Sequence, residues 1–414
     1  MKRKMLGVLL AVSMAASMLA GCGGDGTPAG NDPGAAGAEQ GTGDQESSGS
    51  GAGAEEQPGS GEAGGQSGSD SSGRGESYHL AANIWGSGAY ALDIIAHADQ
   101  IVADLAGMEL DVADNQFTAD KIITDLQSQL ATQPDGVVML SVVGTVFAQV
   151  QQMCQQQNVP YVLDSNFPAD EAVWESIQND PLFVGGVAAK PYDMGYQLGE
   201  MAAANGSKTA AIFAAALGDY THDQRILGFT EAFEAGGGKI QQVLHCTDST
   251  EAPTKVNDLV AANQGVDCVY GTGGDFMEAL ATVKKNDSSV TFDIYGSDVN
   301  PDVISYVQEG IVAAMNGGNN VNGAIAMCLL INYLDGHQIL GENGKAPVLD
   351  YLKCYTITAE NADFFAGLYA NESCFVTEEQ WKSLLYRFNP DVTLETYDTF
   401  LKEYADNVYA LENK

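Results

Sequence analysis

Asp164 stands directly behind the apolar run Pro160-Tyr161-Val162-Leu163, and Asp298 follows a second run, Thr291-Phe292-Asp293-Ile294-Tyr295, after two small residues. An ionised carboxylate only accepts hydrogen bonds and can take two from vicinal hydroxyls, so such acids suit the recognition of a polyol. Asn166 lies two residues beyond Asp164. Trp85 and Tyr90 flank Gly86-Ser87-Gly88 behind a further apolar run, where an exposed aromatic could stack on the C–H face of a sugar ring. The same two rings would serve equally as core residues capping a sheet. Asp223 and Arg225 open an amphipathic segment after the loop Gly218-Asp219-Tyr220-Thr221-His222, with Arg225 equally able to pair with nearby carboxylates. Asp275, after Gly273-Gly274, and Asn316 are candidate supports. Asp164 could instead cap a strand or helix end, and Asp298 could be a solvated loop acid.

This inventory points to binding and not to catalysis. There is no Gly-x-Ser-x-Gly elbow, His-Glu-x-x-His helix or P-loop. Gly271-Thr272-Gly273-Gly274 lacks the full glycine pattern and the lysine of a phosphate-binding turn. Histidines number only 5 and have no metal-ligand spacing. No catalytic residue, metal or cofactor is expected.

The elements that must position these residues alternate along the chain. Apolar runs at 79–84, 108–112, 136–140, 160–163 and 182–187 read as strands, separated by helix-period segments at 92–105, 119–131 and 146–157. A helix at 194–204 follows, and the rhythm restarts with strands at 209–214, 240–246, 267–270, 291–295 and 311–315. Helices at 223–235, 254–262, 276–284 and 301–309 separate them, ended by Gly236-Gly237-Gly238 and Gly310. The expected fold class is α/β, with two doubly wound parallel-sheet lobes, each covered by helices on both faces. In such sheets ligands bind beyond the carboxyl ends of the strands, which is where the candidate residues fall.

With these elements in order, the chain resembles the periplasmic-binding-protein type I family, the sugar-type solute-binding subunits of ABC importers related to ribose- and galactose-binding proteins. The resemblance rests on Pro160-Tyr161-Val162-Leu163-Asp164-Ser165, Arg225-Ile226-Leu227-Gly228-Phe229, Gly296-Ser297-Asp298-Val299-Asn300-Pro301 and Ile357-Thr358-Ala359-Glu360-Asn361. It implies three crossings between lobes, near Lys190, Gly317 and Leu349. The first lobe would then comprise 78–190 and 318–348, and the second 191–317 and 349–414, with a C-terminal extension from Phe364. The resemblance also implies that Asp164 and Asp298 accept bonds from sugar hydroxyls. Ser165 stands where the family usually keeps an arginine, and Asp223 stands where ribose-type relatives place one.

The amino terminus supplies an address. Lys2, Arg3 and Lys4 precede an apolar run too short to span a bilayer, and Leu19-Ala20-Gly21-Cys22 resembles a lipobox, which implies cleavage and lipidation of Cys22. Residues 1–22 thus read as a lipoprotein signal peptide. Residues 23–77 contain no large apolar side chain, and their Gly, Ser and acidic composition predicts a disordered tether with a reach of roughly 40 Å. The chain carries 55 acidic and 18 basic residues, a net charge of −37, which excludes nucleic acid as a partner. Of the 7 cysteines, only Cys354 and Cys374 are kept open as a disulfide.

The expected function is a monomeric, lipid-anchored extracytoplasmic receptor. It would take a small polar ligand, a monosaccharide or related polyol, between closing lobes and deliver it to ABC permease subunits. A sensory subunit for a membrane kinase or chemoreceptor, and an amino-acid or nucleoside binder, remain open alternatives.

Overall fold

Two six-stranded sheets form, and in their inner strands short apolar runs are buried at nearly every position, the pattern of parallel strands covered on both faces. The computed structural model describes residues 76–413 apart from 85–89, 117, 142, 247–248, 263–264, 300 and 371–374. Cys22, the tether, Trp85 and Cys374 therefore lie outside the described residues, as does the side chain of Tyr90.

The first sheet is built from β1 (His79–Ile84), α1 (Tyr90–Ala106), β2 (Glu109–Asp114), α2 (Ala119–Ala131), β3 (Gly136–Leu140), α3 (Phe147–Gln157), β4 (Tyr161–Asp164), α4 (Glu171–Gln178) and β5 (Phe183–Ala189). After Lys190 the chain enters α5 (Pro191–Ala204), β6 (Thr209–Ala214), α6 (Tyr220–Ala235), β7 (Lys239–His245) and α7 (Ala252–Ala261). It continues through β8 (Cys268–Gly271), α8 (Gly274–Asn286), β9 (Asp293–Ser297), α9 (Pro301–Gln308) and β10 (Ala314–Gly317). Then α10 (Asn322–Leu334) returns to pack on β3, β4 and β5. β11 (Val348–Leu352) and β12 (Tyr355–Thr358) complete one sheet each, followed by α11 (Ala362–Ala370), α12 (Glu378–Leu384) and α13 (Leu394–Tyr409).

The first sheet runs β2-β1-β3-β4-β5-β11, all parallel, and the second β7-β6-β8-β9-β10-β12, with β12 alone antiparallel. This register places Asp164, the last residue of β4, opposite Leu140 and Val187, and sets Ser297, just before Asp298, opposite Asn316.

The α/β architecture expected from the periodicity is present, and β3 and β6 begin and end at the expected residues. Two features differ. β11 pairs in parallel with β5, so the passage expected near Leu349 falls instead at Lys353–Cys354, between β11 and β12. The extension beyond Phe364 also packs against both sheets, since α13 lies on β11 as well as on β12. Among the described residues no helix is long and apolar enough to cross a membrane.

Contact between α5 and α6 fixes the position of Arg225. A Cβ on Gly195 would lie 2.0 Å from the Arg225 carbonyl oxygen, and one on Gly228 would lie 2.0 Å from that of Tyr192. Only glycine permits backbones this close. Gly195→Ala is therefore expected to cost about 1–3 kcal/mol by overpacking, read as a lower urea midpoint with unchanged slope. An unchanged midpoint would show that the helices can separate freely.

Candidate functional site

Two residues with left-handed backbone mark corresponding places in the two sheets. Ser165, after β4, has φ 64°, and Asp298, after β9, has φ 69°. Non-glycine residues in this region are uncommon and concentrate at functional positions when the surrounding structure holds them there. Here the hold is visible. Ser165 N donates to Val187 O at 2.8 Å and Asp298 N to Asn316 O at 3.0 Å, so neighbouring strands bend both turns.

On the second sheet, Asp298 is not a free acceptor. Arg225 grips it with a two-pronged pair, Nη1 to Oδ2 at 2.7 Å and Nη2 to Oδ1 at 2.7 Å, and also donates to Thr272 O at 2.7 Å. Asn319 Nδ2 adds a bond to Asp298 Oδ1 at 2.9 Å. The Arg225 side chain is 3% exposed and that of Asp298 19%. Burial alone would discourage the guanidinium charge, but the Asp298 carboxylate outweighs it and raises the Arg225 pKa. Beside this pair, His222 Nδ1 meets Thr272 Oγ1 at 2.7 Å, and burial lowers the histidine pKa, which favours a neutral ring.

On the first sheet, Asp164 is 1% exposed, and its Oδ1 accepts from Ser165 Oγ at 2.7 Å. Asn322 Nδ2 in turn donates to Ser165 Oγ at 3.0 Å. Burial pushes the Asp164 carboxyl up to about 7, and the Ser165 bond opposes the shift. Asn166, 5% exposed, accepts from Thr221 Oγ1 in the first turn of α6, a direct bond between the segments that follow β4 and β6. A small cavity beside this bond is lined by Ser141, Phe147, Asn166 and Phe167 on one side and Gly218 and Tyr220 on the other.

The remaining candidates scatter. Asn316 is fully buried and donates to Met194 O at 2.8 Å, with its Oδ1 unpartnered. Asp223 accepts from Gly218 N at 3.2 Å and so shapes the loop ahead of α6, whose helix start is capped by Asp219. Asp275 lies exposed in the first turn of α8. Sequence reasoning missed Asn319, His222, Asn322 and Asp99. Asp99 had a signal, because it lies four residues after Ile95 and three before Val102, on the buried stripe of α1. Among the described residues no cluster of three or more His, Cys, Asp or Glu is placed to hold a metal.

A family model described as periplasmic binding protein domain matches residues 85–338. No curated protein matches the chain. Among solved structures, a glucose-galactose binding protein from Geobacillus stearothermophilus is 19% identical with a TM-score of 0.59, covering 69% of this chain and 99% of its own. A periplasmic solute binding protein from Actinobacillus succinogenes with bound D-allose is 16% identical, TM-score 0.61, covering 69% and 99%. A solute binding protein from Bacillus halodurans with bound myo-inositol is 13% identical, TM-score 0.60, covering 72% and 99%. At such identities these likenesses establish the shared fold, while the family model spans more than half of the chain. With two parallel-dominated α/β sheets joined by three passages and a direct bond between Asn166 behind β4 and Thr221 of α6, the chain belongs to the periplasmic binding protein family, of the type I fold.

Proposed function

We propose that this protein is an extracytoplasmic solute-binding lipoprotein that closes its two lobes on a neutral monosaccharide or polyol and delivers it to an ABC permease. The observation that carries this reading is the balance of charge at the strand ends. Asp298 and Arg225 are engaged with each other, and among the described residues no cation stands beside buried Asp164, so these strand ends offer no free cation to an ionised ligand. An amino acid bound by Arg225 and Asp298 would have to break that pair, whereas hydroxyls can use lone pairs the pair leaves open. The sugars and inositol named for the structural neighbours are ligands of the same uncharged class. Cys22 would anchor the mature chain by lipid, and the tether would let the body reach its permease.

The ligand-binding set proposed is Asp164, Asn166, Arg225, Asp298 and Asn316, with Trp85 and Tyr90 as stacking rings and Asp223 and Asp275 at the rim. Thermal-shift measurements on the mature protein with neutral sugars, polyols, nucleosides and amino acids test it. A correct ligand at about 100 times its Kd should add about 2.7 kcal/mol of stability, and small-angle scattering should show compaction on binding. Stabilisation by amino acids with none from any neutral sugar would overturn the ligand class, and binding with an unchanged scattering profile would overturn lobe closure.

A further inference from the structure

Beneath the strand ends of the first sheet lies a second acid that the ligand set does not include. Asp99 of α1 is 0% exposed, and neither of its oxygens has a hydrogen-bond partner; the same holds for Asp164 Oδ2. The two side chains converge on Gly323 in the first turn of α10. A Cβ there would lie 2.7 Å from Asp164 Oδ2 and 2.9 Å from Asp99 Oδ1. Asn322 Oδ1, next in sequence, is also buried and unpartnered.

Among the described residues no cation offsets this convergence. α10, packed on α1, contributes the Cys328 thiol, and the 3-10 turn Asn319–Val321 that also packs there carries only Asn and Val. β3 and β5, flanking β4, have no titratable side chain, and Glu109 and Asp111 of β2 are exposed, as are His97 and Asp104 of α1 itself. Asp114 ends β2, where it accepts from Gln116 N. Three of the four oxygens of these two buried carboxyls have no hydrogen-bond partner and no cation faces them, so the two groups cannot both stay ionised in such a place.

We propose that Asp99 and Asp164 form a carboxyl pair that shares a proton beneath the cleft, with Asp99 as a positioning residue that sets whether Asp164 meets the ligand as a hydrogen-bond donor or only as an acceptor. The ligand clause rests on the sugar-binding reading; the proton does not. Burial is the main cause raising both groups, and the Asp164 charge adds to it at Asp99. The two titrate as one coupled system.

Both folded-state values lie above those of an unfolded aspartate, so the stabilisation is full at acid pH and is lost as pH rises through about 7 for Asp164. Between about pH 5 and 7 the folding equilibrium constant should fall by up to about tenfold per pH unit for each proton held. The lowered pKa of half-buried His222 contributes the opposite slope, so the comparison that isolates the pair is wild type against Asp99→Asn. In that variant the amide can donate to Asp164, and the profile should flatten, with the carboxylic-acid C=O stretch seen in the infrared spectrum of the wild type at pH 7 lost. A purely structural Asp99 would instead displace the curve equally at every pH.

Parallel wild-type and variant curves, absence of the acid stretch in the wild type, or stabilisation of the wild type by Na+ or Ca2+ at constant ionic strength would each overturn the shared proton. If the variant does not fold, the wild-type infrared spectrum decides alone. Neither readout needs a ligand, so this pair and the ligand class stand or fall separately.

Discussion

Replacing Arg225 by alanine is expected to destabilise the protein by about 3 kcal/mol and to abolish ligand capture. Removing one member of a buried ion pair leaves the other uncompensated, at about 3–5 kcal/mol, and the low end applies because the Asp298 side chain keeps 19% of its exposure. The loss reaches beyond charge. Thr272 O loses its donor, and Asp298, whose left-handed backbone is held in part by its side-chain partners, is freed to move. Arg225→Lys restores the charge but not the fork that meets both Asp298 oxygens, so it should recover only part of the stability and little of the binding. Urea denaturation of the three proteins, with ligand binding by calorimetry, checks this. A loss below 1 kcal/mol for the alanine variant would mean that Asp298 is adequately hydrated and that the pair does not hold the second-sheet site together.

What could be read from the sequence depended on how local each signal was. β3 is an apolar run between Asp135 and Ser141, β6 is a second one that opens at Thr209 behind Lys208, and both are legible to the residue. α10 was not, because it is buried on every side from Asn322 to Asn332 and so lacks the polar stripe by which a helix is distinguished from a strand. β11 alternates buried Leu349 and Leu352 with exposed Asp350, a pattern short enough to pass for a connection, and its pairing with β5 is a long-range fact. The site divides in the same way. Asp164 and Asp298 could be found because a strand end is a local feature, but Asp298 was expected to accept from sugar hydroxyls or to be a solvated loop acid. Its capture by Arg225 links residues 73 apart in sequence, and no spacing rule anticipates it. Asp99 was within reach as an acid on an apolar stripe, yet its partner Asp164 is known only once α10 has folded over both.

The C-terminal extension is where the sequence was silent and the packing is most explicit, and Trp381→Ala is the second large effect expected. Trp381 is 0% exposed on α12, its ring 5.9 Å from that of Phe400 on α13, and its indole nitrogen has no hydrogen-bond partner. The loss is therefore one of packing alone, about 3–5 kcal/mol for a buried aromatic truncated to alanine. Whether this unfolds an appendage or the whole body depends on how the extension is joined. On the side of the first sheet, the Arg387–Asp335 pair is buried, Arg387 also reaches Ala106 O, and the Asn332 side chain of α10 binds Leu384 O and Tyr386 N. At the passage between β11 and β12, Lys353 N donates to Leu401 O of α13, and Tyr409 Oη accepts from Thr356 N of β12. Trp381 also belongs to the same continuous core as residues of α1, β5, β9 and β12. The extension is thus tied to both sheets at the passage between β11 and β12, and Trp381→Ala should lower the midpoint of a single unfolding transition seen alike by tertiary and secondary-structure probes. A separate early transition, with the main midpoint unchanged, would mean that α12 and α13 are docked on the body without supporting it.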